Sequence, residues 1–171
     1  MRLREDLASK LAGRTVVVGV GDAHKADDGA GPKMVEALAD AGFLGVVDSG
    51  TTPELETWRI REMEPDSVLF VDAVDFGGEP GDVVVLKAND LRESGFDTHR
   101  APLRLTMRYI ELELGAACHL LAVQPKSVQH GLPMCAEVRR SVEDLARLLV
   151  EELLPGDGDC GPGEVIGETN G

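Results

Sequence analysis

The side chains of this sequence that could carry chemistry follow apolar, strand-like segments. Asp27 and Asp28 come after a first valine-rich segment, and Asp72 ends a second. His99 lies in the polar loop that follows a third. In an open α/β sheet, the loops after the carboxyl ends of the strands gather at one edge, where ligands bind. Carboxylates and an imidazole that meet there could hold a transition metal or perform acid–base catalysis.

Each of these residues also has a purely structural interpretation. Aspartate is a favoured residue at the start of a helix, and this role would suit one of the pair Asp27 and Asp28. Asp72 could accept hydrogen bonds from backbone amides, because a buried carboxylate is costly unless it is paired. A loop histidine such as His99 is commonly only solvated. The residues by themselves leave both interpretations open.

Apolar segments that alternate with amphipathic segments predict the elements that must position these side chains. Strands are predicted over residues 15–20, 45–48, 67–72, 82–87 and 118–123. Helices are predicted over residues 2–12, 29–41, 53–63, 102–114 and 135–154, with a helical turn near 89–91. The helix 53–63 is expected to turn four apolar side chains partly inward: Leu55, Trp58, Ile60 and Met63.

The connection between the third and fourth strands is too short for a crossover helix. It contains the turn residues 77–81, so we expect these two strands to run antiparallel. The predicted fold is a single α/β domain over residues 1–154. Its twisted, mostly parallel sheet has about five strands, one of them antiparallel, with helices on both faces. Residues 155–171 are rich in glycine, proline and acids, and are expected to form a disordered tail.

The composition restricts the class of partner. The chain has 171 residues, of which 31 are acidic and 17 basic, so its formal charge is −14. This charge repels phosphate backbones and anionic lipids, so we expect neither nucleic acid nor a membrane as a partner. The three cysteines lack C-x-x-C spacing, and neither a signal region nor a membrane span is recognisable. We therefore expect a cytoplasmic monomer.

Two other kinds of site are partly matched by the sequence. Gly19 and Gly21 follow the first strand, but the third glycine of a dinucleotide fingerprint is replaced by His24, which argues against nucleotide binding. Lys126 after the fifth strand, together with Asp72 after the third, resembles a receiver domain with Asp72 as phospho-acceptor. The early antiparallel turn argues against that alternative. The sequence has no Ser-His-Asp order, catalytic cysteine context or H-E-x-x-H helix, so nucleophilic and zincin mechanisms are unsupported.

Several short motifs, taken in order and with their spacing, resemble those of the hydrogenase maturation endopeptidases. These proteases trim the C-terminus of the large subunit of nickel–iron hydrogenases. The similarity spans about residues 14–153. The matching segments are residues 19–22, 27–31, 48–54, 71–75, 78–81, 98–99 and 124–125.

The resemblance implies a metal-contact triad of Asp28, Asp72 and His99, with the two aspartates as catalytic carboxylates. It implies that the partner is the large-subunit precursor and that nickel already installed in the precursor is the recognition signal. Water would hydrolyse the amide, activated by the metal or by a carboxylate. A non-catalytic, nickel-sensing maturation chaperone is the alternative. The chain departs from the family pattern at Asp22, which is usually Asn, and at Ser49, which is often Gly.

Overall fold

The computed structural model describes residues 2–93, 101–154 and 156, with the backbone alone for residues 92 and 93. The strands are β1 Thr15–Gly19, β2 Val46–Asp48, β3 Ser67–Ala73, β4 Val83–Leu86 and β5 Ala117–Val123. The helices are α1 Arg2–Lys10, α2 Ala30–Asp40, α3 Thr57–Glu62, α4 Asp90–Glu93, α5 Ala101–Tyr109 and α6 Ala136–Leu153. Two 3-10 helices, Ala26–Gly29 and Pro53–Glu56, precede α2 and α3, and a π-helical stretch, Ile110–Leu114, extends α5.

The five strands form one mixed sheet in the order β2-β1-β3-β5-β4. The first four strands in this order are parallel, and β4 pairs antiparallel with β5, so that Val83 lies opposite Val123. The predicted α/β fold, with a mostly parallel sheet and one antiparallel strand, is therefore confirmed. The direction of β4 relative to β3 is as expected, but β5 lies between them.

Apolar residues on both faces explain the composition of the central strands. In β1, Val16 and Val18 join the core on one face of the sheet, and Val17 joins the core on the other. Strands that are covered on both faces are apolar at consecutive positions rather than alternate ones. α1, α2 and α6 pack on the Val17 face, and α3 and α5 pack on the opposite face.

The helices bury the stripes that their spacing predicts, with one exception. α6 buries Val138, Val142, Leu145 and Leu149, which recur at helical spacing. The exception is the predicted helix 53–63, where two of the four apolar side chains expected to face inward are exposed.

Ile60 is buried and Met63 half-buried, but Leu55 is 65% and Trp58 59% exposed. Leu55 is exposed because it lies in the 3-10 helix Pro53–Glu56, whose three residues per turn change the angle between successive side chains. Trp58 lies in α3 itself, two residues before the buried Ile60, so it points to the opposite side of that helix.

No helix in the described ranges is long and apolar enough to cross a membrane. The tail predicted over residues 155–171 lies outside the described residues, apart from Gly156.

Candidate active site

The candidate site lies where the strand order of the sheet reverses. From β1 the chain passes through α2, on one face, to β2 on one side of β1. From β2 it passes through α3, on the opposite face, to β3 on the other side of β1. The connections that leave β1 and β3 therefore diverge at the carboxyl edge of the sheet. The crevice between such connections is the usual ligand site of open α/β sheets.

Asp28 and Asp72 line one cavity of about 270 Å³ in this crevice. Asp28 comes from the loop after β1, and Asp72 stands at the end of β3 with only 2% of its surface exposed. The remaining lining is largely apolar: Val20, Gly21, Thr51, Pro53, Pro102 and Leu103. The structure thus brings together two of the three predicted site residues. Their catalytic and metal-binding roles stay predictions.

His99, the third predicted site residue, lies outside the described residues. Within the described part of the chain, no three histidine, cysteine, aspartate or glutamate side chains are grouped so as to hold a metal ion. Two carboxylates in one cavity nevertheless fit a divalent cation whose other ligands come from elsewhere, because oxygen donors suit many such ions.

The backbone of the loop after β1 orients Asp28. The backbone N–H of Asp22 donates a hydrogen bond to Oδ2 of Asp28 at 2.8 Å. The loop closes this tightly because Gly21 has φ +132°, and a Cβ there would lie 2.0 Å from the carbonyl oxygen of Asp28. The carboxylate of Asp22 accepts the N–H of His24 at 2.8 Å, so it stabilises a local turn. It is not among the residues that line the cavity.

Asp27 has a different role from the helix cap that the sequence suggested. α2 begins after Gly29 and has no side-chain cap, so that expectation is wrong for both aspartates. Asp27 is 1% exposed and accepts three backbone hydrogen bonds from the segment between β5 and α6. The donors are the N–H groups of Lys126 at 2.8 Å, Ser127 at 3.1 Å and Cys135 at 2.8 Å.

These hydrogen bonds determine the ionisation of Asp27. Burial by itself would raise the pKa of this carboxyl, but the backbone N–H groups of Cys135, Lys126 and Ser127 outweigh burial, and the pKa is lower than its ordinary value. The ionised carboxylate thus ties the loop that carries Asp28 to the segment after β5. Sequence reasoning missed this role because the partners lie about a hundred residues away and form no local pattern.

Gln124 performs the equivalent task for the loop after β3. Its buried amide oxygen accepts the N–H groups of Phe76 at 2.9 Å and Gly78 at 3.0 Å. Its amide nitrogen donates to Oδ1 of Asp75 at 3.0 Å. This hydrogen bond, with one from the N–H of Gly77, lowers the pKa of Asp75. Gln124 belongs to the segment 124–125, one of those on which the family resemblance rests. The sequence does not show which groups its side chain contacts.

The loop after β2 is held against β1. Ser49 is buried, and its hydroxyl donates to the carbonyl oxygen of Gly19 at 2.8 Å. The N–H of Gly21 donates to the carbonyl oxygen of Gly50 at 2.8 Å. A serine at position 49 is therefore accommodated with its polar group satisfied. The loops that follow β1, β2, β3 and β5 are all held by such hydrogen bonds.

The receiver-domain alternative does not fit this arrangement. Receiver-type sheets have the order 2-1-3-4-5, whereas this sheet places β5 between β3 and an antiparallel β4. The side chain of Lys126 is exposed and is not among the residues that line the cavity of Asp28 and Asp72.

Comparisons with known proteins agree on one family. The model of a family described as hydrogenase maturation protease matches residues 32–152. The hydrogenase 3 maturation protease of Escherichia coli K12 is 34% identical over 137 residues, which cover 78% of this chain and 87% of that protein.

Solved structures show the same likeness. The crystal structure of the NiFe hydrogenase maturation protease HycI from Thermococcus kodakarensis aligns with a TM-score of 0.80 and 30% identity, covering 87% of this chain and 99% of that one. The solution structure of the endopeptidase HycI from Escherichia coli aligns with a TM-score of 0.72 and 33% identity, covering 79% and 88% of the two chains.

Proposed function

This chain belongs to the hydrogenase maturation protease family, and on that premise we propose that it removes the C-terminal extension of the nickel-loaded large subunit of a nickel–iron hydrogenase. The observation that supports the proposal best is the pairing of Asp28 and Asp72 in one cavity. The cavity lies at the crevice of a fold shared with solved maturation proteases. Two carboxylates in a small, mostly apolar cavity are suited to the hydrolysis of an amide by water.

Asp28 and Asp72 have complementary surroundings. One oxygen of Asp28 is anchored by the N–H of Asp22, which holds the carboxylate at the cavity wall. Asp72 is almost fully buried, so its charge acts through surroundings of lower effective dielectric than water. Either carboxylate can accept the proton of an attacking water molecule. The second carboxylate then contributes charge and position.

Nickel belongs to the substrate in this proposal. Asp28, Asp72 and His99 are the residues that would contact it, and a bound metal would polarise the scissile carbonyl or lower the pKa of water. Three protein ligands leave coordination positions for groups that arrive with the precursor. Contact with nickel would therefore be both the recognition step and the step that brings the scissile bond to the carboxylates.

Mass spectrometry of a nickel-loaded precursor incubated with this protein tests the cleavage. We expect the large subunit to lose the mass of its C-terminal extension. Asp72→Asn should abolish the cleavage, and Asp40→Asn, at an exposed position at the end of α2, is the matched control that should retain it. A non-catalytic chaperone would bind the precursor and leave its mass unchanged, which would overturn the proposal.

Calorimetry with Ni²⁺, or with zinc or cadmium as a surrogate, tests the metal contacts separately. Asp72→Asn and His99→Ala should both weaken the binding, and Asp40→Asn should not. The affinity should also decrease below about pH 6, where an ordinary imidazole becomes protonated and stops being a ligand. If both site variants bind the metal as the wild type does, Asp72 and His99 do not share a site.

A further inference from the structure

Three large apolar side chains are exposed on the helices next to the cavity. Leu55 is 65%, Trp58 59% and Leu105 60% exposed. A single exposed apolar residue needs no explanation, but a contiguous group marks an interaction surface in many proteins.

The helices that carry them lie side by side and begin at the cavity. Pro53, at the start of the 3-10 helix before α3, and Pro102, in the first turn of α5, both line the cavity. Further along, Nη2 of Arg61 donates a hydrogen bond to the Tyr109 hydroxyl at 2.7 Å. The same guanidinium lies 5.9 Å from the centroid of the Tyr109 ring. The two helices thus run in the same direction, from the carboxyl edge of the sheet towards the opposite edge.

The spacing of the exposed residues places them between these two contacts. Residues three or four apart lie on the same face of a helix. Leu105 is three residues after Pro102 and four before Tyr109, so it shares their face.

Trp58 is three residues before Arg61 in α3, so these two residues share a face. Leu55 is three residues before Trp58 and lies in the 3-10 helix, where side chains three residues apart are aligned. Leu55, Trp58 and Leu105 therefore line one surface, the α3–α5 seam, which begins at the cavity and ends at the Arg61–Tyr109 contact.

Four charged residues beside the seam form salt bridges within their own helices. Arg59 forms a salt bridge with Glu56 at 3.1 Å. Arg108 forms another with Glu111 at 3.2 Å. The charges of these four residues are balanced in pairs, and the exposed side chains of Leu55, Trp58 and Leu105 are apolar. An apolar segment of a protein suits the seam better than a charged one.

We propose that the α3–α5 seam docks an apolar segment of the precursor next to its scissile bond. This inference rests on the proposed function, because it takes the precursor as the substrate. Pro53 and Pro102 line the cavity of Asp28 and Asp72, so the two helices that carry the seam begin there. A polypeptide whose peptide bond lies against the two carboxylates extends beyond the cavity, and the seam is the apolar surface that starts there. Trp58 and Leu105 then act in substrate binding, without contact to the reacting atoms.

Trp58 offers a direct probe, because it is the only tryptophan of the chain. Protein labelled with 5-fluorotryptophan should give a single fluorine NMR resonance. We expect unlabelled, nickel-loaded precursor to shift or broaden this resonance. A resonance that does not respond to saturating precursor would overturn the docking inference.

Kinetics with two leucine variants provide a second, independent test. Leu105→Glu places a charge in the seam and should raise KM about tenfold or more, with kcat changed less than about twofold. Leu44→Glu is the matched control, since Leu44 is 87% exposed and lies at the opposite edge of the sheet, and its KM should equal that of the wild type. Equal KM values for both variants would overturn the inference.

The NMR and kinetic experiments distinguish a failure of this inference from a failure of the proposed function. If the precursor is cleaved while Trp58 does not respond and Leu105→Glu has a normal KM, the protease proposal stands and the seam is not the docking site. If the precursor shifts the Trp58 resonance but is never cleaved, the seam stands and the endopeptidase proposal fails.

Discussion

At the scale of single residues, two adjacent carboxylates have different surroundings. Asp27 is buried and accepts three backbone N–H groups, and Asp28 lines the cavity with one oxygen anchored by the N–H of Asp22. One aspartate therefore holds the loop, and the next one lines the cavity. Substitution by asparagine should distinguish these roles, because it removes charge with almost no change in volume.

Asp27→Asn should lower stability, and Asp28→Asn should lower activity. Hydrogen bonds to a charged group contribute about 1.5–3 kcal/mol each, so we expect Asp27→Asn to lose roughly 2–4 kcal/mol of the free energy of unfolding. Asp28→Asn keeps an oxygen for the N–H of Asp22, so its stability should remain near that of the wild type while cleavage disappears. Urea unfolding and the cleavage assay measure the two effects. The reverse pattern would show that the roles are exchanged.

His119 makes stability depend on pH. It is 8% exposed in β5, and its Nδ1 has no hydrogen-bond partner in the described part of the structure. Burial, and then the positive charges of Lys10 and Lys87, lower its pKa below the ordinary value. The unfolded chain therefore binds the proton more readily. The stability that the neutral imidazole contributes is complete above about pH 6.5. It is lost as the pH falls towards the lower pKa of the folded state.

His119→Phe should remove this dependence. Between about pH 7 and pH 5, the free energy of unfolding should decrease less in the variant than in the wild type. Urea unfolding at several pH values measures the difference, with His130→Phe at an exposed position as the matched control for loss of an imidazole. Identical pH profiles for His119→Phe and the wild type would show that this residue does not contribute.

At the scale of elements, the carboxyl edge depends on the close approach of α2 to the sheet. A Cβ at Gly31, in the first turn of α2, would lie 2.3 Å from the carbonyl oxygen of Val20 and 2.5 Å from that of Val71. Both contacts are to backbone, which cannot move aside as a side chain can. Gly31 therefore lets α2 pack where β1 and β3 end, three residues after Asp28.

Gly31→Ala should push α2 away from the sheet. We expect it to lose about 1–3 kcal/mol of the free energy of unfolding, as overpacked sites do. Cleavage should decrease as well, because the loop with Asp28 is connected directly to this helix. Lys33→Ala, at an exposed position of the same helix, is the control that should change neither property. A Gly31→Ala variant as stable and active as the wild type would contradict this packing argument.

The elements show how far the sequence could predict the structure. The valines of β1 and the spacing of Val138, Val142, Leu145 and Leu149 in α6 predict local structure directly, because burial on one or both faces determines the pattern. The insertion of β5 between β3 and β4 was not predictable, since the choice of strand neighbours is a long-range property.

The same limit applies to side chains. The inward positions predicted for Leu55 and Trp58 are wrong, because Leu55 lies in a 3-10 helix. Trp58 lies in α3 two residues before the buried Ile60, on the opposite side of the helix. The hydrogen bonds of Asp27 join residues distant in sequence and leave no local trace. The shared position of Asp28 and Asp72 was predictable, because the ends of parallel strands meet at one edge.

At the scale of the whole molecule, the site and the α3–α5 seam lie at one edge of the sheet and on the helices that begin there. The alignment with the maturation protease of Thermococcus kodakarensis covers 99% of that chain and 87% of this one, so the two chains share this framework. We propose that Asp28, Asp72 and His99 form an incomplete site that nickel carried by the precursor completes.

The most direct test compares two precursors of identical sequence, one loaded with nickel and one without it. Each is incubated with the wild-type protein, and the C-terminal peptide that is released is measured by mass spectrometry, with casein as an unrelated substrate. We expect rapid cleavage of the nickel-loaded precursor only, and no digestion of casein. Equal cleavage of both precursors, or efficient digestion of casein, would contradict the account, because recognition would then not depend on nickel.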